Sequence, residues 1–179
     1  MTADNGTYPY YDLRLFDYPV TPQTTDEWYT PRWIFRALDV MFDLDVCAPA
    51  DPELRSVPAR RYYTAAEDGL TQPWDGYVWM NPPYSRAAPW VDRWVAHGYG
   101  MALLPALPEV QWRGVLLGAA DAMALLAVNF TRPSGREARL LWPCILAAVG
   151  PDAARHVAAV AAADLYAAGA FHVAKAAAP

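Results

Sequence analysis

Hydrophobic and polar positions along this chain switch repeatedly between a helical and a strand period. From Asp26 to Met41 the apolar residues Trp33, Ile34, Ala37, Leu38 and Met41 recur at three- and four-residue spacing, which predicts a helix. Pro31 suits a first turn, and Thr30 before it is the expected N-cap. Phe42–Cys47 reads as a short strand, and Ala48-Pro49-Ala50-Asp51-Pro52 as a loop because of its prolines. A second strand is expected over Arg60–Thr64, then a loop over Ala65–Gln72, then the strand Tyr77–Met80. Trp90, Val91, Trp94 and Val95 mark one face of a helix over Ala88–His97, closed by Gly98. Gly100–Leu104 is a buried type of strand stopped by Pro105. Beyond it the pattern predicts a helix over Glu109–Ala119, a strand over Ala122–Phe130 and a turn over Thr131–Ala138. A returning strand over Leu140–Val149 contains Pro143, which implies an edge position or a bulge. An alanine-rich helix over Pro151–Ala177, interrupted near Gly169, completes the series.

Strands alternating with helices predict an α/β sheet, mostly parallel, with helices on both faces. Residues 26–179 are expected to form one domain. Ahead of them Met1–Thr25, with Tyr8, Tyr10, Tyr11, Pro9, Pro19 and Pro22, reads as an irregular arm. Of the 179 residues 55% are hydrophobic and 18% charged, which fits a compact domain with a substantial core. The net charge of −5 argues against a protein that coats polyanions indiscriminately. Two local clusters, Arg55 with Arg60 and Arg61, and Arg132 with Arg136 and Arg139, are candidates for phosphate contact.

Cys47 and Cys144 form no CxxC pair, so neither a zinc site nor a disulfide framework is expected, and a reducing cytoplasm is the natural compartment. The polar opening Met1–Tyr11 does not read as a signal peptide, and no apolar run approaches a membrane span. His97, His156 and His172 share no metal-ligand spacing and are expected at helix surfaces or ends, so no metal site is predicted. A nucleophile elbow and a phosphate loop are both missing from the sequence.

The most informative segment is Asn81-Pro82-Pro83-Tyr84, which ends the apolar run Tyr77–Met80 and precedes Ser85. It delivers an amide, a carbonyl that no following N–H can claim, and an aromatic ring to the end of a strand. Such a group suits a planar amine. The nitrogen lone pair of such an amine is delocalised until acceptors hold its N–H groups; Asn81 Oδ1 and the Pro82 carbonyl are candidate acceptors, and Tyr84 is a stacking surface. In a parallel sheet ligands bind beyond the carboxyl ends of the strands. Asp45–Asp51, Glu67-Asp68 and Asn81–Tyr84 are all expected on that rim.

With these residues in place the chain resembles a family, the phage-type DNA N6-adenine methyltransferases. The resemblance covers about Thr25 to Gln111. It rests on Asp26-Glu27-Trp28-Tyr29-Thr30-Pro31, on Phe42-Asp43-Leu44-Asp45-Val46-Cys47-Ala48, on Glu67-Asp68-Gly69-Leu70 with Trp74, and on Trp79-Met80-Asn81-Pro82-Pro83-Tyr84-Ser85. It implies a Rossmann-like class I methyltransferase sheet, S-adenosylmethionine as cofactor, and double-stranded DNA as partner with a flipped adenine. It further implies that Tyr29, Thr30 and Pro31 shape the pocket for the methionine end of the cofactor, that Asp45 with Cys47 faces its charged end, and that Asp68 hydrogen-bonds its adenine. Asn81, Pro82, Pro83 and Tyr84 would take the target base. Family origin would make the compartment a host cytoplasm. Cys47-Ala48-Pro49-Ala50 lacks the glycine that many methyltransferases carry after the first strand. No separate recognition domain is expected after Val149, so sequence specificity would come from loops, the arm or a second copy in a homodimer. Three other readings stay open on the residues alone: cytosine N4 as acceptor, protein glutamine N5 as acceptor, and a binding protein that keeps the fold without catalysis.

Overall fold

The structure, a computed structural model, describes residues 26–107, 110–139 and 143–163. The arm expected over 1–25 and the tail of the last helix fall outside them. Helix α1 spans Arg32–Leu38 and strand β1 Phe42–Asp45, followed by a single 3₁₀ turn at Pro52–Leu54 and by β2, Ala59–Tyr62. Strand β3, Val78–Met80, runs into a second 3₁₀ turn at Tyr84–Arg86 and then α2, Ala87–His97. The chain continues as β4 (Gly100–Pro105), α3 (Gln111–Ala119), β5 (Ala122–Leu126), β6 (Asn129–Thr131), β7 (Glu137–Arg139), β8 (Cys144–Val149) and α4 (Ala153–Ala163).

Six strands form the main sheet in the order β2-β1-β3-β4-β8-β5. Pairs β1–β2, β1–β3 and β3–β4 are parallel, and β8 runs antiparallel to both its neighbours. The fold is therefore α/β and Rossmann-like, with a mostly parallel sheet flanked by helices. Along β3 and β4 successive side chains alternate between its two faces, as the strand period requires, whereas Phe42 and Leu44, two apart on β1, join opposite cores. Phe42, Trp79, Met101 and Leu103 pack with Ile34, Phe35 and Leu38 of α1 and Val157 and Val160 of α4. Leu44, Val78, Met80, Ala102 and Leu104 pack with Trp90, Val91 and Trp94 of α2 and Leu116 of α3. Gly100 is fixed by this packing: at φ +152° an added Cβ would meet the Val78 carbonyl oxygen at 2.4 Å.

Several boundaries differ from the sequence expectation, each for a physical reason. The first helix begins at Arg32 and not near Asp26: Pro31 is itself extended, at ψ 145°, and a residue before proline is disfavoured in the helical region, so the helix does not reach back through Thr30. Thr30 is not the N-cap; Pro31 holds that position without any side-chain cap. Met41 lies beyond the helix and is exposed. The run Ala122–Phe130 divides into β5 and β6, since the chain leaves the main sheet after Leu126 and β6 pairs with β7 instead. Val128 and Phe130 stay buried in the same core, so the apolar pattern carries no mark of the departure. Pro143 immediately precedes β8, and the strand is central, between β4 and β5, not at an edge. His156, expected at a helix surface, is buried, with Nδ1 3.2 Å from the Leu38 carbonyl. Burial lowers its pKa. No described helix is long and apolar enough to cross a membrane.

Candidate active site

The chain proceeds from β1 to β2 on one side and later to β3 on the other, so the order in which strands are added reverses between the parallel neighbours β1 and β3. The carboxyl ends of these two neighbours carry Asp45 and Asn81. This is the crevice at which open α/β sheets bind ligands.

Asp45 is buried, and its Oδ1 accepts a hydrogen bond from the Cys47 N–H at 3.1 Å. Burial pushes its pKa up to about 7, against the opposing pull of that hydrogen bond and of the Arg55 guanidinium. Arg55 does not reach outward as a phosphate ligand. Its Nε and Nη2 donate to the carbonyls of Pro49 and Ala50 at 3.1 and 3.3 Å, and its guanidinium lies 4.9 Å from the Tyr62 ring centre. Arg55 thus braces the glycine-free loop after β1. The rest of that cluster is occupied as well, Arg60 by Asp43 at 3.0 Å and Arg61 by Asp75 at 2.7 Å.

Beside Asp45 the Cys47 thiol is pushed well up, first by burial and then by the Asp45 carboxyl, while the backbone N–H of Asn81 opposes the shift. A thiol held neutral in this way is a poor nucleophile.

Asn81 is fixed from three directions. Its Nδ2 donates to the Trp28 carbonyl at 2.5 Å and to Thr30 Oγ1 at 3.1 Å, and its Oδ1 accepts from the Tyr84 hydroxyl at 2.7 Å. The Tyr84 ring packs edge-on to Phe130 with centroids 6.3 Å apart. Burial raises its hydroxyl pKa strongly, with the Cys144 and Cys47 sulfurs nearby adding to the effect. Pro82 is buried, and the Pro83 carbonyl accepts from Arg86 N at 3.1 Å, which starts the turn toward α2. Asp26 closes the same turn: its carboxylate accepts from Ser85 N at 2.9 Å and from Ser85 Oγ at 2.6 Å.

Asp68 stands on the neighbouring loop with its side chain exposed. It adopts the left-handed conformation at φ +54°, and its Oδ1 accepts from Leu70 N at 3.2 Å. The next residue sets the loop against β1, because a Cβ on Gly69 would lie 2.2 Å from the Val46 carbonyl oxygen. A close backbone approach to the end of β1 is thus made by a glycine on the facing loop. The Gly69 carbonyl accepts from Trp74 Nε1 at 2.8 Å, and Arg93 donates to the carbonyls of Leu70 and Gln72.

Tyr29, Thr30 and Pro31 line a pocket of about 200 Å³ together with Arg32, Glu53, Leu54, Ser56 and Thr131. Tyr29 forms an isolated antiparallel bridge with Thr131, N–H to carbonyl at 3.0 Å in both directions. This bridge ties the segment before α1 to the β6–β7 hairpin.

The order of these elements decides the kinship, since a model of the DNA N-6-adenine-methyltransferase (Dam) family matches residues 19–123, more than half of the chain. The chain belongs to the DNA N-6-adenine-methyltransferase family. Over 73 residues it is 38% identical to the DNA N-6-adenine-methyltransferase of Haemophilus phage HP1 (strain HP1c1), a stretch that covers 38% of this chain and 40% of the phage protein. The matched part of that relative is thus well under two thirds of its length.

In this Dam-family chain Asp45, Cys47, Asn81, Tyr84 and Thr30 meet in one hydrogen-bonded cluster, and Tyr29 and Pro31 line the adjacent pocket. Asp68 shares the rim through Gly69 without touching that cluster in any described hydrogen bond. Sequence reasoning missed the roles of Trp28, whose carbonyl holds Asn81, of Asp26, and of Phe130. The first two lie inside the segment Asp26–Pro31, where the only available signal was its fixed position in the family pattern. Arg132, a candidate phosphate ligand, has its guanidinium carbon 4.1 Å from the Trp28 ring centre. Arg136 is exposed on the hairpin.

Proposed function

We propose that this chain is an S-adenosylmethionine-dependent methyltransferase that acts on the N6 amine of adenine in DNA. The observation that carries the reading is the orientation of Asn81. With both Nδ2 hydrogens committed to Trp28 and Thr30, its Oδ1 is the end presented as an acceptor at the switch point. An acceptor on an adenine N–H localises electron density on the nitrogen, and the Pro82 carbonyl, which accepts no described hydrogen bond, is suited to hold the second N–H.

The residues suit the cofactor on three grounds. A buried carboxyl at Asp45 matches a cation, the pocket beside Tyr29, Pro31 and Arg32 is sized for a short amino-acid chain, and Gly69 lets the Asp68 loop close on the end of β1. When bound, S-adenosylmethionine supplies an electrophilic methyl group on sulfur. Asp45 would balance the sulfonium charge, Tyr29 and Pro31 would bound the methionine end, and Asp68 would reach the adenine ring. Tyr84 would stack on the target adenine once it is turned out of a duplex. The setting would be the cytoplasm of a host cell.

Incubation of the protein with labelled S-adenosylmethionine and duplex DNA, followed by digestion to nucleosides and mass spectrometry, tests this. N6-methyladenine is the expected product. N4-methylcytosine, methylated protein glutamine, or cofactor binding without transfer would each replace the reading.

A further inference from the structure

We propose that Thr30 is a positioning residue for Asn81: the Trp28 carbonyl selects which end of the Asn81 amide faces the substrate, and the Thr30 hydroxyl holds the amide in that place by taking the second Nδ2 hydrogen. The inference rests on the methyltransferase reading of Asn81 and goes beyond it by giving Thr30 a task other than shaping the methionine pocket.

An asparagine amide can turn end for end, and its two ends have opposite hydrogen-bonding character. In this site only one orientation is compatible with the surroundings. The Trp28 carbonyl, 2.5 Å from Nδ2, can only accept, so the reversed amide would set two carbonyl oxygens against each other. Thr30 Oγ1 at 3.1 Å takes the second Nδ2 hydrogen. Both Nδ2 hydrogens are then used, and Oδ1 is left facing the Tyr84 hydroxyl.

The clamp is itself anchored. Thr30 is buried, and its carbonyl accepts from Ser56 Oγ at 2.6 Å. Its neighbour Tyr29 is bridged to Thr131 on both backbone groups. The Trp28 ring packs edge-on to Phe130 with centroids 5.6 Å apart and lies under Arg132. Thr30 and Trp28 therefore cannot follow Asn81 if its amide swings. Because the helix starts at Arg32 with Pro31 as its N-cap, Thr30 lies outside it, and its hydroxyl is available to Asn81 and not to a helix N-terminus.

The test uses the full chain and compares Thr30→Val, which keeps the shape and loses the acceptor, with Thr30→Ser, which keeps it. Thr30→Val is expected to lower kcat on duplex DNA by roughly tenfold or more, as a misaligned acceptor does. Its Kd for S-adenosylmethionine should stay within about twofold of wild type, because valine keeps the shape that Thr30 presents to the pocket beside Tyr29. Thr30→Ser should restore most of the rate. In nitrogen-15 spectra the side-chain amide of Asn81 should shift in Thr30→Val and return in Thr30→Ser, a readout that needs no activity. A weakened cofactor Kd with unchanged kcat would return Thr30 to the methionine pocket and overturn the proposal. An unshifted Asn81 amide would overturn it as well, whether or not the protein transfers methyl groups. Absence of methylation by the wild-type chain, with the amide shift present, would remove the methyltransferase reading alone.

Discussion

The Tyr84 hydroxyl donates to Asn81 Oδ1 across 2.7 Å, so the acceptor offered to a substrate amine is satisfied by the protein itself. The oxygen keeps a second lone pair, so a substrate N–H either takes that one or displaces the hydroxyl. Displacement replaces one hydrogen bond with another, and the net worth of such a bond is about 1 kcal/mol.

Tyr84→Phe should therefore retain kcat and bind substrate as well as wild type or up to roughly tenfold more tightly, since the ring stays and the competing donor is gone. Tyr84→Ala should lose rate on duplex DNA more than on single strands, because aromatic stacking of roughly 1–3 kcal/mol helps offset the extrusion of the base. Initial rates on matched duplex and single-stranded oligonucleotides measure both effects. Equal losses on the two substrates would give the ring a pocket-shaping role only.

Asn81→Ala removes the acceptor and leaves Asp45 and the pocket beside Tyr29 in place. Transfer should fall by on the order of a hundredfold or more, with the Kd for S-adenosylmethionine nearly unchanged. Parallel calorimetry and single-turnover rates check the split. A comparable rate in Asn81→Ala would end the role given to its amide.

How much of this site the sequence made legible depends on the distance over which each feature acts. The end of β3 follows from local pattern, while β1 stops at Asp45, two residues short of the expected Cys47, and parallel pairing brings Asp45 and Asn81 to one rim. The β5–β6 break was hidden because Leu126 before it and Val128 and Phe130 after it are all apolar and buried. The clamp on Asn81 was hidden for another reason. The Trp28 carbonyl is a backbone group 53 positions away, and no residue type announces its use. Thr30 before Pro31 looks like a helix cap in sequence, and only the fold shows that its hydroxyl points at the amide. Arg55 looked like a phosphate ligand because sequence gives charge without direction.

Gly69→Ala should be harmful although the residue lies outside the hydrogen-bonded cluster. The new Cβ would sit 2.2 Å from the Val46 carbonyl oxygen, a backbone atom that cannot move without disturbing the end of β1. The Asp68 loop must lift away, so cofactor affinity should fall and the melting temperature with it. By contrast Gly118→Ala, where nothing lies within 4 Å of the added carbon, should leave the cofactor Kd unchanged and serves as the control. Equal cofactor affinity in Gly69→Ala and wild type would remove the loop from the cofactor site.

Asp45 gives the site a dependence on pH whose sign can be worked out. Burial holds its folded pKa near 7, against 3.8 for an unburied aspartate, so between these values the folded chain keeps a proton that the unfolded chain has lost. The stability this brings is fully present below the unfolded value and is lost as pH rises through 7. The ligand-free protein should thus melt at a lower temperature at pH 8 than at pH 5.5, and Asp45→Asn should flatten that slope. Binding of a cationic cofactor has the opposite preference, since it favours the ionised carboxyl. Affinity for S-adenosylmethionine should rise with pH by up to about tenfold per unit below 7, then level off, with a proton released on binding at pH 6. Calorimetry in two buffers of different ionisation enthalpy counts that proton. Asp45→Asn should bind more weakly and release none at pH 6, and any slope it keeps belongs to the cofactor's own amino group. A wild-type affinity that is flat from pH 5.5 to 7, or a proton count that Asp45→Asn shares, would show that Asp45 does not face the cofactor's charge.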